Sequence, residues 1–326
     1  MLKNVSNEAD WLIKTSIALG RNGIIYLAPD CFTNLTKLVT LDLSNNNISC
    51  LDSNLFQDLI SLKFLYLNSN QMTYLYPSLF MNLILLQQLF LNNNQLSFLD
   101  SSLFINLSNL QILNLAGNEL VLLDSLLFMN LSQLKTLYLN SNLLTSLDPS
   151  LIENMSNLSY LNLGANRLTY LNSTLFINLN NLQTLVLSGN NLVSLDAALF
   201  KNLGVLNNLD LHANKLTYLN STLFMNLNNL QVLTLNNNNL NLISPSVFGS
   251  INNTFNLTIY IYGNPVASMG QSSAYFCNQK SNCICYCTIL ANGTVFQCSP
   301  ATTTIYIPTG KIIVAWNLFC FEIFYQ

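Results

Sequence analysis

His212 is the chain's single histidine, Asp210 precedes it by two residues, and Ser188 stands 24 residues before it. A serine, an imidazole and a carboxylate are the parts of an acyl-transfer triad, which needs the base within hydrogen-bond reach of both partners. On an extended strand residues i and i+2 are about 6.6 Å apart, so direct Asp210–His212 contact is not expected. No glycine-rich turn or helix start nearby offers an oxyanion hole. The expectation is therefore three polar residues on an open face and no enzyme.

Two further constellations invite a metal. Cys283, Cys285 and Cys287 are spaced C-x-C-x-C without a nearby histidine, whereas zinc sites favour C-x-x-C paired with histidine or a second pair. A row made of Asp52, Asp100, Asp124, Asp148, Asn172, Asp196 and Asn220 could hold cations. Each member can instead cap a short helical turn, most legibly in Asp148-Pro149-Ser150, where a capping carboxylate precedes proline at the first helical position. No metal and no cofactor is expected.

The 24-residue interval between Ser188 and His212 organises the whole chain. Asn22, Asn46, Asn70, Asn94, Asn118, Asn142, Asn166, Asn190, Asn214 and Asn238 recur at that spacing without a slip. Ten residues after each comes Phe32, Phe56, Phe80, Phe104, Phe128, Ile152, Phe176, Phe200, Phe224 or Phe248. In a frame such as Leu65-Tyr66-Leu67, period-2 alternation sends both leucines inward and Tyr66 outward. The asparagine then sits where the chain must turn. Its amide has donors and an acceptor for backbone groups of its own and neighbouring turns, and an unpaired group there costs about 1–3 kcal/mol. The column is a structural ladder, and the phenylalanines fill the wider return side. The predicted fold is an α/β solenoid of about ten repeats with a parallel concave sheet.

Positions that the core does not constrain are the outward strand residues. Phe64, Tyr66, Phe90, Ile112, Tyr138 and Tyr160 gather on repeats three to seven, accompanied by Gln88, Asn114 and Asn162. Aromatic patches rimmed by amides are what protein interfaces favour, so these residues form the expected partner-binding face.

Composition narrows the partners. Only 8% of residues are charged, net charge is −3, and the eleven Lys and Arg are scattered singly. No basic stripe exists to neutralise phosphates, so nucleic acid is not the expected partner. The apolar stretch 312–325 is too short to span a bilayer. No signal peptide is visible at the start, and the chain enters its periodic pattern at Ile17, which predicts that a leader and an N-terminal cap are missing. Sequons of the N-x-S/T type abound: Asn34, Asn106, Asn130 and Asn154 share a column that is mostly asparagine, so Asn256 and Asn292, outside it, are the better expected glycosylation sites.

The L-x-x-L-x-L-x-x-N-x-L frame with phenylalanine in its second half resembles the typical 24-residue leucine-rich repeats of Toll-like receptors, jawless-vertebrate variable lymphocyte receptors and small leucine-rich proteoglycans. Gly263-Asn264-Pro265, then Cys283-Ile-Cys285 or Cys285-Tyr-Cys287, then Cys298 and Cys320 partly resemble the C-terminal cap of extracellular members, with a longer gap and an extra Cys277. The resemblance implies a horseshoe with a disulfide-bonded cap, an extracellular or cell-surface location and recognition of a protein or glycan on the concave face, without catalysis. The alternative is a structural or adhesive protein that self-associates, with a homodimer possible. The expected organisation is an incomplete N-terminal segment (1–16), a solenoid (17–250) and a terminal repeat with the cysteine-rich cap (251–326). Six cysteines allow fifteen pairings, and the pairing stays open.

If Cys277, Cys283, Cys285, Cys287, Cys298 and Cys320 staple a cap, protein from a secretory host should show none of them as free thiol. Finding all six free by thiol counting would remove the cap.

Overall fold

The computed structural model describes residues 11–244, 246–249, 251, 257–261, 263–265, 285–290, 296–300 and 311–315. It comprises two compact units, Met1–Leu161 and Asn162–Gln326. In the first, three-residue strands β1 (Ser16–Ala18), β2 (Thr40–Asp42), β3 (Phe64–Tyr66), β4 (Gln88–Phe90), β5 (Ile112–Asn114) and β6 (Thr136–Tyr138) pair in parallel, each shifted by one repeat, as in Thr40↔Phe64 and Phe64↔Gln88. Strand β7 (Tyr160–Asn162) straddles the division. Every strand from β2 to β6 buries its central leucine and leaves its flanking residues half-buried, the alternation that the sequence predicts.

The turn after each strand is made by a left-handed residue. Arg21, Asn45, Ser69, Asn93 and Ser141 have φ between 55° and 60°, and Gly117 has φ 65°. A non-glycine residue there costs about 1–2 kcal/mol, so something must hold it. That is the next residue, the ladder asparagine. Asn70, Asn94, Asn118 and Asn142 each donate from Nδ2 to a leucine carbonyl of their own turn and to one of the preceding turn, all at 3.0–3.1 Å. Their Oδ1 atoms accept from Ile48, Met72, Leu96 and Leu120 N–H at 3.1 Å.

The return segments are chains of hydrogen-bonded turns. Asp52, Asp100 and Asp124 each accept at Oδ1 from the N–H two residues on. Among the described residues of this row, only Asp148 caps a helix, the 3₁₀ turn Pro149–Leu151. The other expected helical turns are not helices, because each makes one Asx-type closure and the chain then continues toward its phenylalanine. The phenylalanines Phe32 to Phe128 stack at 6.1–6.4 Å. A second amide column, unforeseen, braces the convex side: Asn82, Asn106 and Asn130 donate to the carbonyls of Gln57, Met81 and Ile105 at 2.8–2.9 Å.

The second unit repeats this plan in β8 (Thr184–Val186), β9 (Asn208–Asp210), β10 (Val232–Thr234) and β11 (Leu257–Tyr260). Asn190, Asn214 and Asn238 continue the ladder, and Phe176, Phe200, Phe224 and Phe248 stack at 6.3–6.4 Å. Asn264 takes the next rung: its Nδ2 donates to Leu235 and Ile261 O at 2.9 Å, and its Oδ1 accepts from Leu240 N–H at 3.0 Å. Asn264 falls two residues beyond the 24-residue period, which would set the rung at position 262, yet the rung is kept.

Beyond it, β11 pairs with β14 (Lys311–Ala315) in parallel, and β12 (Cys285–Leu290) runs antiparallel to both β14 and β13 (Phe296–Pro300). The register sets Cys287 opposite Cys298. Cys277, Cys283 and Cys320 lie outside the described residues, as do Asn256, Asn292 and most of the N-terminal segment. Among the described residues, no helix is long and apolar enough to cross a membrane.

Asn142→Ala removes bonds to Leu115 O, Leu139 O and Leu120 N–H, each worth about 1–3 kcal/mol when left unmade in the core. Asn45→Ala should cost much less, since Ala165 and Ala213 hold the same left-handed position in other repeats. Thermal melts of the two variants test the ladder; equal shifts would contradict it.

Candidate interaction surface

The outward residues of the first unit form two aromatic pairs. Register places Tyr66 beside Phe90, Phe90 beside Asn114 and Asn114 beside Tyr138. Tyr66 and Phe90 stack with centroids 5.1 Å apart and planes 18° apart, and Tyr138 meets Tyr160 at 5.1 Å and 46°. Asn114 separates the pairs, and the neighbouring column carries Phe64, Gln88 and Ile112. All of these side chains are half-buried rather than fully open, as are the flanking residues of every strand from β2 to β6. Asn114 uses its Oδ1 to accept from Ala116 N–H at 3.0 Å, closing its own turn. Asn162, in the second unit, does the same with Gly164 N–H at 2.9 Å.

One expectation is corrected in the second unit. His212 Nδ1 lies 2.7 Å from Asp210 Oδ1, and the His212 N–H donates to the same oxygen at 3.1 Å. The strand ends at Asp210, so His212 already belongs to the turn, and the extended-strand distance does not apply. Thr234 Oγ1 donates to that carboxylate oxygen from the next strand. Ser188 is buried, and no hydrogen bond joins it to His212 among the described residues. The carboxylate is thus shared by a turn and a neighbouring strand, which is the work of a brace.

The capping acids are occupied in the same way. The Ser102 hydroxyl, then its N–H, holds the Asp100 carboxyl below the usual carboxylate range, and the N–H of Ser150 does so for Asp148. A depressed folded-state value stabilises above the unfolded pKa and is lost as pH falls through the folded one, and both groups are exposed, so the effect is small. Among the described residues, no group of three or more His, Cys, Asp and Glu is placed to hold a metal ion.

Sequence reasoning passed over the column four residues after each ladder asparagine. Tyr26, Tyr74, Phe98 and Leu122 in the first unit and Tyr170, Tyr218 and Leu242 in the second are among the most exposed large apolar side chains. The same 24-residue period marks them; attention to strand positions alone hid them.

The sequence matches the family described as "Leucine rich repeat" at residues 15–72, 84–144, 132–192, 181–240 and 204–259. Among solved structures, a leucine-rich-repeat protein of Leptospira interrogans is similar at 29% identity over 72% of this chain and 57% of its own, with TM-score 0.64. The Drosophila Toll–Spatzle complex is similar at 20% identity over 75% and 41%, with TM-score 0.56. A TLR13–ssRNA13 complex is similar at 24% identity over 74% and 46%, with TM-score 0.48. The chain therefore spans about half the length of these structures. Among curated proteins, none matches.

Cys50 occupies the exposed flank column, whereas Cys31 is partly buried; both are free thiols. Burial, with the charge of Asp30, pushes the Cys31 thiol up to about 11. Its thiolate forms only as pH rises toward that value, so alkylation at about pH 8 should label Cys50 well before Cys31. Peptide mapping over time reads the order, and equal rates would refute the burial of Cys31.

Proposed function

The chain belongs to the leucine-rich-repeat family, and from that premise we propose that it is a non-catalytic recognition module, extracellular or at the cell surface, that binds a protein or glycan partner on the strand face of its first unit. The observation that carries this reading is the pair of ring clusters, Tyr66–Phe90 and Tyr138–Tyr160, flanking Asn114. Rings already leaning on each other lose little freedom when a partner covers them. Amides between them supply direction, and the leucines beneath hold the face rigid. The absence of catalysis is supported by the engagement of the Asp210 carboxylate with the His212 turn and Thr234.

A second reading, self-association as a structural or adhesive element, is favoured by the exposed apolar flank at Tyr26, Tyr74, Phe98 and Leu122. The two differ in the surface they need.

Aromatic anchors commonly contribute about 2 kcal/mol or more each, so Tyr66→Ser, Phe90→Ser and Tyr138→Ser combined should weaken a partner by about ten-thousandfold or more. The buried leucines are untouched, and the triple variant should keep its circular-dichroism spectrum. Partners captured on the purified chain and identified by cross-linking are compared on this variant and on Tyr74→Ser with Phe98→Ser. Loss on the flank variant with retention on the strand-face variant would reject the proposed face, and concentration-dependent dimers abolished by the flank variant would favour self-association.

A further inference from the structure

Two exposed tyrosines of the second unit have no packing role that accounts for them. Tyr170 is 60% exposed and Tyr218 is 61% exposed. Each stands two residues before an asparagine of the capping column, in Tyr170-Leu171-Asn172-Ser173-Thr174 and Tyr218-Leu219-Asn220-Ser221-Thr222. Asn172 Oδ1 accepts from the Thr174 N–H at 3.0 Å and from Thr174 Oγ1 at 2.8 Å. Asn220 Oδ1 accepts from Thr222 in the same way, at 2.9 and 2.8 Å. Only the amide oxygen is used. Neither Nδ2 donates to any described residue.

The other sequons of the described chain are built differently. The Nδ2 atoms of Asn106, Asn130, Asn154 and Asn157 donate to carbonyls 25 residues back, at 2.8–3.3 Å. A sugar on those nitrogens would be placed against the adjoining turn. Asn34 and Asn47 have no exposed ring two residues before them: Phe32 is buried and Asn45 is polar.

We propose that Asn172 and Asn220 are N-glycosylation sites, with the first N-acetylhexosamine of each glycan packed on the face of Tyr170 or Tyr218. The donor is a polyprenyl-pyrophosphate-linked oligosaccharide. The amide nitrogen forms a bond to the anomeric carbon as the carbon–oxygen bond to pyrophosphate breaks; one amide proton leaves, and the polyprenyl pyrophosphate departs with the bonding pair. The threonine bonds engage the oxygen and leave the nitrogen without a partner among the described residues. They span two residues, so this turn forms on the nascent chain, whereas the convex amides need the stacked solenoid. A pyranose presents an apolar C–H face, and covering it with a tyrosine ring removes apolar area of both from water. In the first unit the aromatics Tyr74 and Phe98 precede Tyr76 and Asp100, which are not acceptors.

The proposal rests on the extracellular reading, since transfer takes place in the secretory lumen. The full chain is expressed behind a secretion leader in a eukaryotic host, and the secreted, folded protein is mapped by site-resolved mass spectrometry. Sugar is expected on Asn172 and Asn220 and not on Asn106, Asn130, Asn154 or Asn157. Thr174→Ala and Thr222→Ala should each abolish their own site. Tyr170→Ser and Tyr218→Ser should reduce occupancy and bring the Tm of the glycosylated protein down to that of the enzymatically deglycosylated one, while Tyr→Phe, which keeps the ring, restores both. Bare Asn172 and Asn220 on a secreted, folded chain overturn the proposal, as does equal modification of the convex asparagines. Unchanged occupancy and Tm in the serine variants overturn the ring packing. Fractionation of the source cell reads the compartment separately: a cytosolic chain overturns both readings, and a secreted chain with bare acceptors overturns this one alone.

Discussion

The structure depends on one constraint: each short strand ends in a left-handed turn that leaves backbone groups inside an apolar stack, and a single buried amide per repeat satisfies them. Leucine burial supplies the drive to stack, but it is indifferent to register. The ladder is not. An asparagine whose nitrogen reaches Leu67 O and Leu91 O at once, as Asn94 does, is bonded only when its turn lies one repeat from the last. Hydrophobic collapse therefore sets that the turns pack, and the amide sets where.

Once leucine, asparagine and phenylalanine columns specify the fold, the outward strand positions keep little structural duty beyond the turn closures made by Asp42, Asn114 and Asp210. Asp42, Tyr66, Phe90, Asn114 and Tyr138 follow one another on the same rail without disturbing the leucines behind them. Such a scaffold tolerates any surface that does not leave a buried polar group unpaired. Function in this architecture lives in the side chains that the core ignores, which is why the family relation fixes the fold while the partner follows from the surface.

The fixed repeat made much of this legible in advance. Ladder, phenylalanine stack and strand alternation were placed residue by residue, because a 24-residue period and a two-residue side-chain alternation leave no freedom of register. What escaped needed three dimensions. The Asp210–His212 contact arises because the strand is only three residues long, a length that the hydrophobic pattern does not reveal. The Asn264 rung falls two residues off the 24-residue period, and only its hydrogen bonds show that it continues the ladder. The convex amide column was visible as a run of asparagines, yet its partners lie one repeat away and no local motif names them. The mutual cover of Tyr66 and Phe90 depends on ring orientation, to which sequence is blind.

Three columns of asparagine differ in the amide atoms that they use, and those atoms decide what chemistry remains. In the ladder both nitrogen and oxygen are committed, so nothing is left over. On the convex side the nitrogen is committed, as in Asn106. In the capping column the oxygen is committed and the nitrogen donates to no described residue, as in Asn172. An aspartate can replace asparagine where only the oxygen is needed, since a carboxylate can accept from a turn but cannot donate to a carbonyl; in the convex column Asp58 accepts instead, from the Asn34 N–H at 2.8 Å. Asp52, Asp100, Asp124, Asp148 and Asp196 are all found in the capping column, and no aspartate is found among the ladder rungs. The absence of aspartate from the ladder thus follows from the two donors that each rung requires, and a row of carboxylates that looks like a cation stripe follows from turn closure.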